Sequence, residues 1–180
     1  YLHPIDEKLL FVPARGGLGE ELGNQANSIA SRLASATGGE HKVLYAPDNV
    51  GESALESLKA EPSVKEIAEL NMQSHYVIHG IGEAFTMAER RNVDDETLAG
   101  LKDSGAVGET FGYYFDKEGD IVRKVKTIGL QLEDLESKKA ILAVAGGSSK
   151  KEAVRAYMKM APRNTVLFID ETIAEFLLDS

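Results

Sequence analysis

The chain has no cysteine among its 180 residues. Disulfide staples, a thiolate nucleophile and cysteine metal cages are therefore excluded, and a cytoplasmic location is expected. No apolar run approaches the ~20 residues needed to span a bilayer, and no signal-peptide pattern opens the sequence. Positive charge is in deficit: 20 Lys and Arg stand against 29 Asp and Glu, a formal charge of −9. This balance argues against the segment gripping nucleic-acid phosphates by itself. An acidic chain that binds an anion must concentrate positive charge locally, so the placement of single Arg and Lys residues carries information. An initiating Met is also missing. Tyr1 opens the chain, and Leu9-Leu10-Phe11-Val12 reads as a buried strand almost at once, so a piece of something longer is expected.

What is present is ordinary for a globular domain: 43% hydrophobic and 27% charged residues, in a length that fits one domain. Strand-like runs at Leu9–Pro13, Lys42–Ala46, Tyr76–Gly80, Ala140–Ala145 and Thr165–Ile169 alternate with helical patterns. Asn24–Thr37 places Ala26, Ile29, Ala30 and Leu33 on one face. Ser63–Asn71 does the same with Val64, Ile67, Ala68 and Asn71, and Ser149–Met160 with Ala153, Ala156, Tyr157 and Met160. The alternation predicts an α/β fold with a Rossmann-like parallel sheet covered on both faces. Phe111–Phe115 and Ile121–Val125, joined through Asp116–Asp120, read as an antiparallel hairpin inserted in that pattern, suited to a lid or a subunit contact. No internal repeat, low-complexity segment or Pro/Gly linker divides the chain.

Three strands run into glycine turns: Arg15-Gly16-Gly17-Leu18-Gly19, His79-Gly80-Ile81-Gly82-Glu83, and Gly146-Gly147-Ser148-Ser149-Lys150. In an open α/β sheet such turns lie at the carboxyl ends of the strands, where these folds bind ligands. The third is the most telling. Its glycines let the backbone approach closely, Ser148 or Ser149 can cap the helix that follows, and free N–H groups with Lys150 then face an anion. The same turn also serves as a plain tight connection. It is not a Walker loop, and Gly17-Leu18-Gly19 lacks the third glycine of a dinucleotide fingerprint, so no nucleotide cofactor is expected. Arg15 follows Phe11-Val12-Pro13-Ala14 directly and is either a site residue or half of a surface salt bridge. Arg90-Arg91 at a helix end could simply compensate the macrodipole, and Glu109 could be a solvated turn residue. His75 and His79 lie too far apart for one ion, and no metal site is expected.

The longer strings are more specific. Phe11–Glu20 with Asn24-Gln25-Ala26-Asn27, Val77–Ala84, Met87–Asn92, Phe111–Phe115, Ala143–Lys150 and Pro162–Val166 together resemble the SorC type of sugar-responsive transcriptional repressors, in the branch that controls glycolytic genes in Gram-positive bacteria. The resemblance runs almost end to end. It implies an effector-binding domain over residues 1–180, of the fold shared by sugar-phosphate isomerases, glucosamine-phosphate deaminases and CoA-transferases. It further implies a preceding winged helix-turn-helix that contacts operator DNA, and a homo-oligomer, a dimer or, on DNA, a tetramer. The implied ligand is fructose 1,6-bisphosphate or another glycolytic phosphosugar, with no cofactor. Position by position, Arg15, Gln25, Arg90, Arg91, Glu109 and Lys150 match ligand-contacting positions, beside the Gly146, Gly147, Ser148 and Ser149 loop. Arg and Lys suit phosphate, and Gln and Glu suit sugar hydroxyls. The family's second phosphate loop, a Gly-Gly-Thr-Thr string after an earlier strand, has no counterpart in this sequence.

Two other readings remain at this stage. An isomerase or deaminase of the same fold needs a general base over the sugar carbon, for which Glu109 and Glu83 are the candidates. A purely structural oligomerisation domain leaves the Arg/Lys loops without a purpose. For the sensor, the regulatory free energy is the difference in ligand affinity between two arrangements of the domain.

Overall fold

A computed structural model describes residues 4, 7–18, 23, 25–48 and 50–179, with the side chain of Glu52 outside the description. Gly19, Glu20 and Asn24 of the strings above lie outside the described residues. The chain packs as two compact units, Tyr1–Ser74 with Lys126–Leu130, and His75–Val125 with Gln131–Ser180.

In the first unit, β1 (Leu10–Phe11) pairs in parallel with β2 (Glu40–His41), and the connection between them is α1 (Ala26–Thr37). Gly39 allows the pairing, because a Cβ there would stand 2.5 Å from the Leu9 carbonyl oxygen. The strand expected at Lys42–Ala46 does not form. After Lys42 N–H donates to Phe11 O, the next partner of the segment is a side chain. The Asn27 amide donates to Leu44 O at 3.0 Å and accepts from Leu44 N–H at 2.9 Å, so it replaces a neighbouring strand. α2 (Glu52–Ala60) and α3 (Pro62–Gln73) follow, the latter with Pro62 in its first turn, where a missing N–H costs nothing. Leu44, Ala46, Leu55, Val64, Ile67 and Ile128 form this unit's core. The helical faces are narrower than the periodicity predicts. α1 buries Ala30, Ala34 and Thr37 and leaves Ile29 exposed, while α3 buries Val64, Ile67 and Asn71 and leaves Ala68 exposed.

The second unit holds two sheets. β3 (Tyr76–Gly80), β8 (Ala140–Ala145) and β9 (Thr165–Ile169) form a parallel sheet in the order β3-β8-β9. Its inner face, with Val77, Ile141, Ala143 and Ala145, packs with α6 (Lys151–Met160) and α7 (Glu171–Leu178) into a core that includes Ala153, Val154, Ala156, Tyr157 and Ile173. The opposite face departs from the expectation of a sheet covered on both sides. Tyr76, Ile78, Val144, Val166 and Phe168 are all exposed, because among the described residues no helix lies over them.

The second sheet is antiparallel, in the order β4 (Gly82–Glu83), β5 (Ala106–Thr110), β6 (Tyr113–Asp116) and β7 (Ile121–Lys124). α4 (Ala84–Arg90) and α5 (Asp95–Asp103) connect β4 to β5. The expected hairpin is therefore present as β6–β7 inside a larger sheet. Its first strand starts at Tyr113, not Phe111, because Phe111 (φ 52°) and Gly112 (φ 87°) make the tight turn after β5. Two consecutive positive φ values match the right-handed twist of a hairpin. Gly108 must lack a side chain, since a Cβ would lie 2.4 Å from the Phe115 ring.

Candidate functional site

β8 and β9 stay in register to their last residues, Ala145 opposite Ile169. The segments beyond them, Gly146–Lys150 and Asp170, consequently emerge side by side at the carboxyl edge of the parallel sheet. Gly147 sits at φ 96°, a conformation for which glycine is suited. Its N–H donates to Asp170 Oδ2 at 2.6 Å. Ser148–Lys150 then form a single 3-10 turn that leads into α6. The expected serine cap is not made. The turn supplies backbone carbonyls to the N–H groups of Lys150 and Lys151, so no hydroxyl is needed there. Ser148 and Ser149 are exposed, and among the described residues their N–H groups have no hydrogen-bond partner. Lys150 has no carboxylate partner among the described residues either. The turn thus presents two backbone donors and one ammonium group at the end of a strand, a combination that attracts an anion.

β4 lies against this turn, and its Gly82 pairs with Glu109 of β5. Glu109 is 2% exposed, far from the solvated turn position that sequence allows. Its Oε1 accepts from Arg91 Nη2 at 2.8 Å and from Gly112 N–H at 2.6 Å, while Arg91 Nη1 donates to Tyr114 OH at 3.1 Å. Both side chains of the pair are buried. Arg90 and Arg91 therefore have different roles despite their adjacency. Arg90, in the last turn of α4, is exposed and among the described residues has no carboxylate partner, which suits the macrodipole reading or an incoming anion. Arg91 is the counter-charge of Glu109. Glu83 is occupied as well: it caps α4 by accepting from Phe85 N–H at 3.0 Å and Thr86 N–H at 2.8 Å.

His79 lies between Tyr157 and Thr110. Its Nε2 meets Tyr157 OH at 3.0 Å and its Nδ1 meets Thr110 Oγ1 at 3.0 Å, with the Phe111 ring 5.0 Å away. Burial pushes its pKa down to about 4, outweighing the opposing effects of the Gly80 carbonyl and Glu109, so the ring is neutral at pH 7. Burial also pushes the Tyr157 hydroxyl up to about 12.

Arg15 and Gln25 belong to the first unit. Arg15 reaches Asp48 with a fork, Nε to Oδ1 at 2.8 Å and Nη2 to Oδ2 at 2.5 Å, and Asp48 is fully buried. Arg15 thus forms the salt bridge that its sequence position allows, with the acidic half inside the unit and not on the surface. Gln25 lies beside Gly17, where a Cβ would approach its Oε1 to 3.2 Å. The structure thus joins Arg91 to Glu109, keeps Gly146–Lys150 as one turn, and leaves Arg15 and Gln25 in their own unit. Sequence reasoning missed Asp170 and the His79–Tyr157–Thr110 network. Asp170 carried a legible signal, an Asp directly after a strand and before a helical run, which marks an N-cap. The network carried none, because its members are 31 and 78 residues from His79.

The family model described as "Putative sugar-binding domain" matches residues 2–179. The chain belongs to this family. Its membership is also visible in single relatives. The central glycolytic genes regulator of Bacillus subtilis is 49% identical over 173 residues, covering 96% of this chain and 51% of the relative. That of Priestia megaterium is 46% identical over 170 residues, covering 94% and 49%. A solved structure from Enterococcus faecalis, described as a "putative SorC family transcriptional regulator", is 44% identical with a TM-score of 0.90, covering 98% of this chain and 72% of that one. The chain spans about half the length of the curated relatives it matches. These relatives are named as regulators of transcription, not as enzymes. No helix among the described residues is long and apolar enough to cross a membrane.

Proposed function

We propose that this sugar-binding domain senses a glycolytic phosphosugar for a bacterial transcriptional repressor working in the cytoplasm, with a phosphate group held at Gly146–Lys150. The observation that carries the reading is the turn after β8. The N–H groups of Ser148 and Ser149 and the side chain of Lys150 belong to one 3-10 turn, and among the described residues the two N–H groups have no hydrogen-bond partner and Lys150 no carboxylate partner. Fructose 1,6-bisphosphate is the ligand proposed first, because the resemblance to glycolytic regulators implies it and the donors suit a dianionic phosphate. Arg90 is an exposed cation of the same unit and, among the described residues, has no carboxylate partner. Operator contact is assigned to a helix-turn-helix outside residues 1–180, since a net charge of −9 disfavours a DNA surface on this segment. Oligomerisation is assigned to the whole regulator. Parallel strands that end in glycine loops at their carboxyl edge also support kinship with the fold of sugar-phosphate isomerases, glucosamine-phosphate deaminases and CoA-transferases.

The enzyme reading is weaker on this geometry. Its two candidate bases are already engaged, Glu109 by Arg91 and Glu83 by the N-terminus of α4. The test is titration of fructose 1,6-bisphosphate into Lys150→Ala. Loss of one charge-assisted contact should weaken binding by roughly tenfold or more, with an unchanged melting temperature in the absence of ligand. An unaltered dissociation constant removes the ligand from this loop.

A further inference from the structure

Asp170 is exposed, carries a negative charge beside a turn proposed to bind anions, and belongs to none of the sequence strings that mark the site. Its two carboxylate oxygens are divided between two elements. Oδ1 accepts from Ile173 N–H at 3.1 Å and caps α7, whereas Oδ2 accepts from Gly147 N–H at 2.6 Å. A residue that served only as a helix cap would need one of these bonds. The second crosses from β9 to the loop after β8, over 23 residues of sequence, and ends on the glycine at φ 96°. Both N–H groups, that of Gly147 first, hold the carboxyl below the ordinary range, so it stays ionised through neutral pH.

We propose that Asp170 is the positioning residue of the Gly146–Lys150 turn. Its exposed carboxylate takes the Gly147 N–H that an external anion would otherwise compete for, and fixes Gly147 at its positive φ. The next two N–H groups, of Ser148 and Ser149, are thereby directed outward before any ligand arrives. Affinity gains because ordering the turn is no longer part of binding. This inference rests on the phosphate site proposed above.

The experiment compares Asp170→Ala with Lys150→Ala and with Asp94→Ala. The last removes an N-cap of the same kind from α5, where Asp94 accepts from Thr97 N–H at 2.7 Å, and touches no part of the turn. Fructose 1,6-bisphosphate is titrated calorimetrically, and hydrogen exchange of the Gly147 amide is followed by NMR without ligand. Asp170→Ala should weaken binding by about tenfold and accelerate Gly147 exchange. Asp94→Ala should lower the melting temperature while affinity and Gly147 exchange stay as in the parent. Asp170→Asn, with one acceptor oxygen for two N–H groups, is the milder variant should the alanine fail to fold, and its affinity should fall between the two. Unchanged affinity in Lys150→Ala overturns the phosphate site and Asp170's role with it. Weakened affinity in Lys150→Ala beside parental affinity in both Asp170 variants overturns the Asp170 proposal alone, as does a Gly147 amide that remains protected in Asp170→Ala.

Discussion

At the scale of single residues, the buried pair Arg91–Glu109 and the neutral His79 set the chemistry of the region. Removing one member of a buried pair leaves the other charge uncompensated, which typically costs about 3–5 kcal/mol. Glu109→Gln should therefore lower the melting temperature sharply. Adding Arg91→Met should recover a large part of the loss, and additive losses in this double-mutant cycle would show that the pair is not coupled. For His79 the sign runs against low pH. Its folded pKa of about 4 lies below the ordinary 6.5, so between these values the unfolded chain binds the extra proton. Stability should fall as pH drops from about 6.5 towards 4, with a limiting loss of about 3 kcal/mol. Thermal melts at pH 7 and pH 5 should show a larger drop for the parent than for His79→Gln, and equal drops would assign the pH dependence elsewhere. Much of this was legible only as residue type. Arg90 and Arg91 look alike in sequence, but helical rotation turns one outward and the other onto Glu109.

At the scale of elements, local signals worked where backbone and side chains agree. The three longer parallel strands have the bounds that their apolar runs suggest, and α6 buries Ala153, Ala156 and Tyr157 of the face its spacing predicts, with Met160 only half-buried. The readings failed where a tertiary contact replaced a local one. Lys42–Ala46 has strand-forming residues, yet the Asn27 side chain supplies the partner that a strand would have supplied. Phe111 reads as strand because it is aromatic, but it occupies a turn position at φ 52° where only its burial against His79 compensates for the backbone. Two effects oppose each other in Phe111→Gly. Relief of the positive φ is worth about 1 kcal/mol, while loss of a buried phenyl ring costs about 3–5 kcal/mol. Burial wins, and chemical denaturation should show a net loss of about 2–4 kcal/mol. A stabilised variant would mean that the strained turn, and not the ring, dominates there.

At the scale of the whole molecule, the bare face of β3-β8-β9 stands out, since parallel sheets are ordinarily covered on both sides. Alternation along the strands disclosed which residues point together but not which face finds a cover. Val166→Thr combined with Phe168→Gln should reduce binding of a hydrophobic dye to the 180-residue chain and shift the melting temperature by less than about 2 °C. A large drop in melting temperature would mean that these side chains are packed in solution. The other feature of this scale is the return of Lys126–Leu130 to the first unit. Gly16 N–H donates to Ile128 O, Leu130 N–H donates to Ala14 O, Arg15 bridges Gly129, and Ile128 sits in the core with Leu44 and Val64. That unit holds the first strand, Leu10–Phe11, and is completed by residues that leave the ribosome more than a hundred positions later. Its folding is therefore timed by translation: the Ala14 carbonyl and the Gly16 N–H wait for Leu130 and Ile128 until the chain has grown past Leu130.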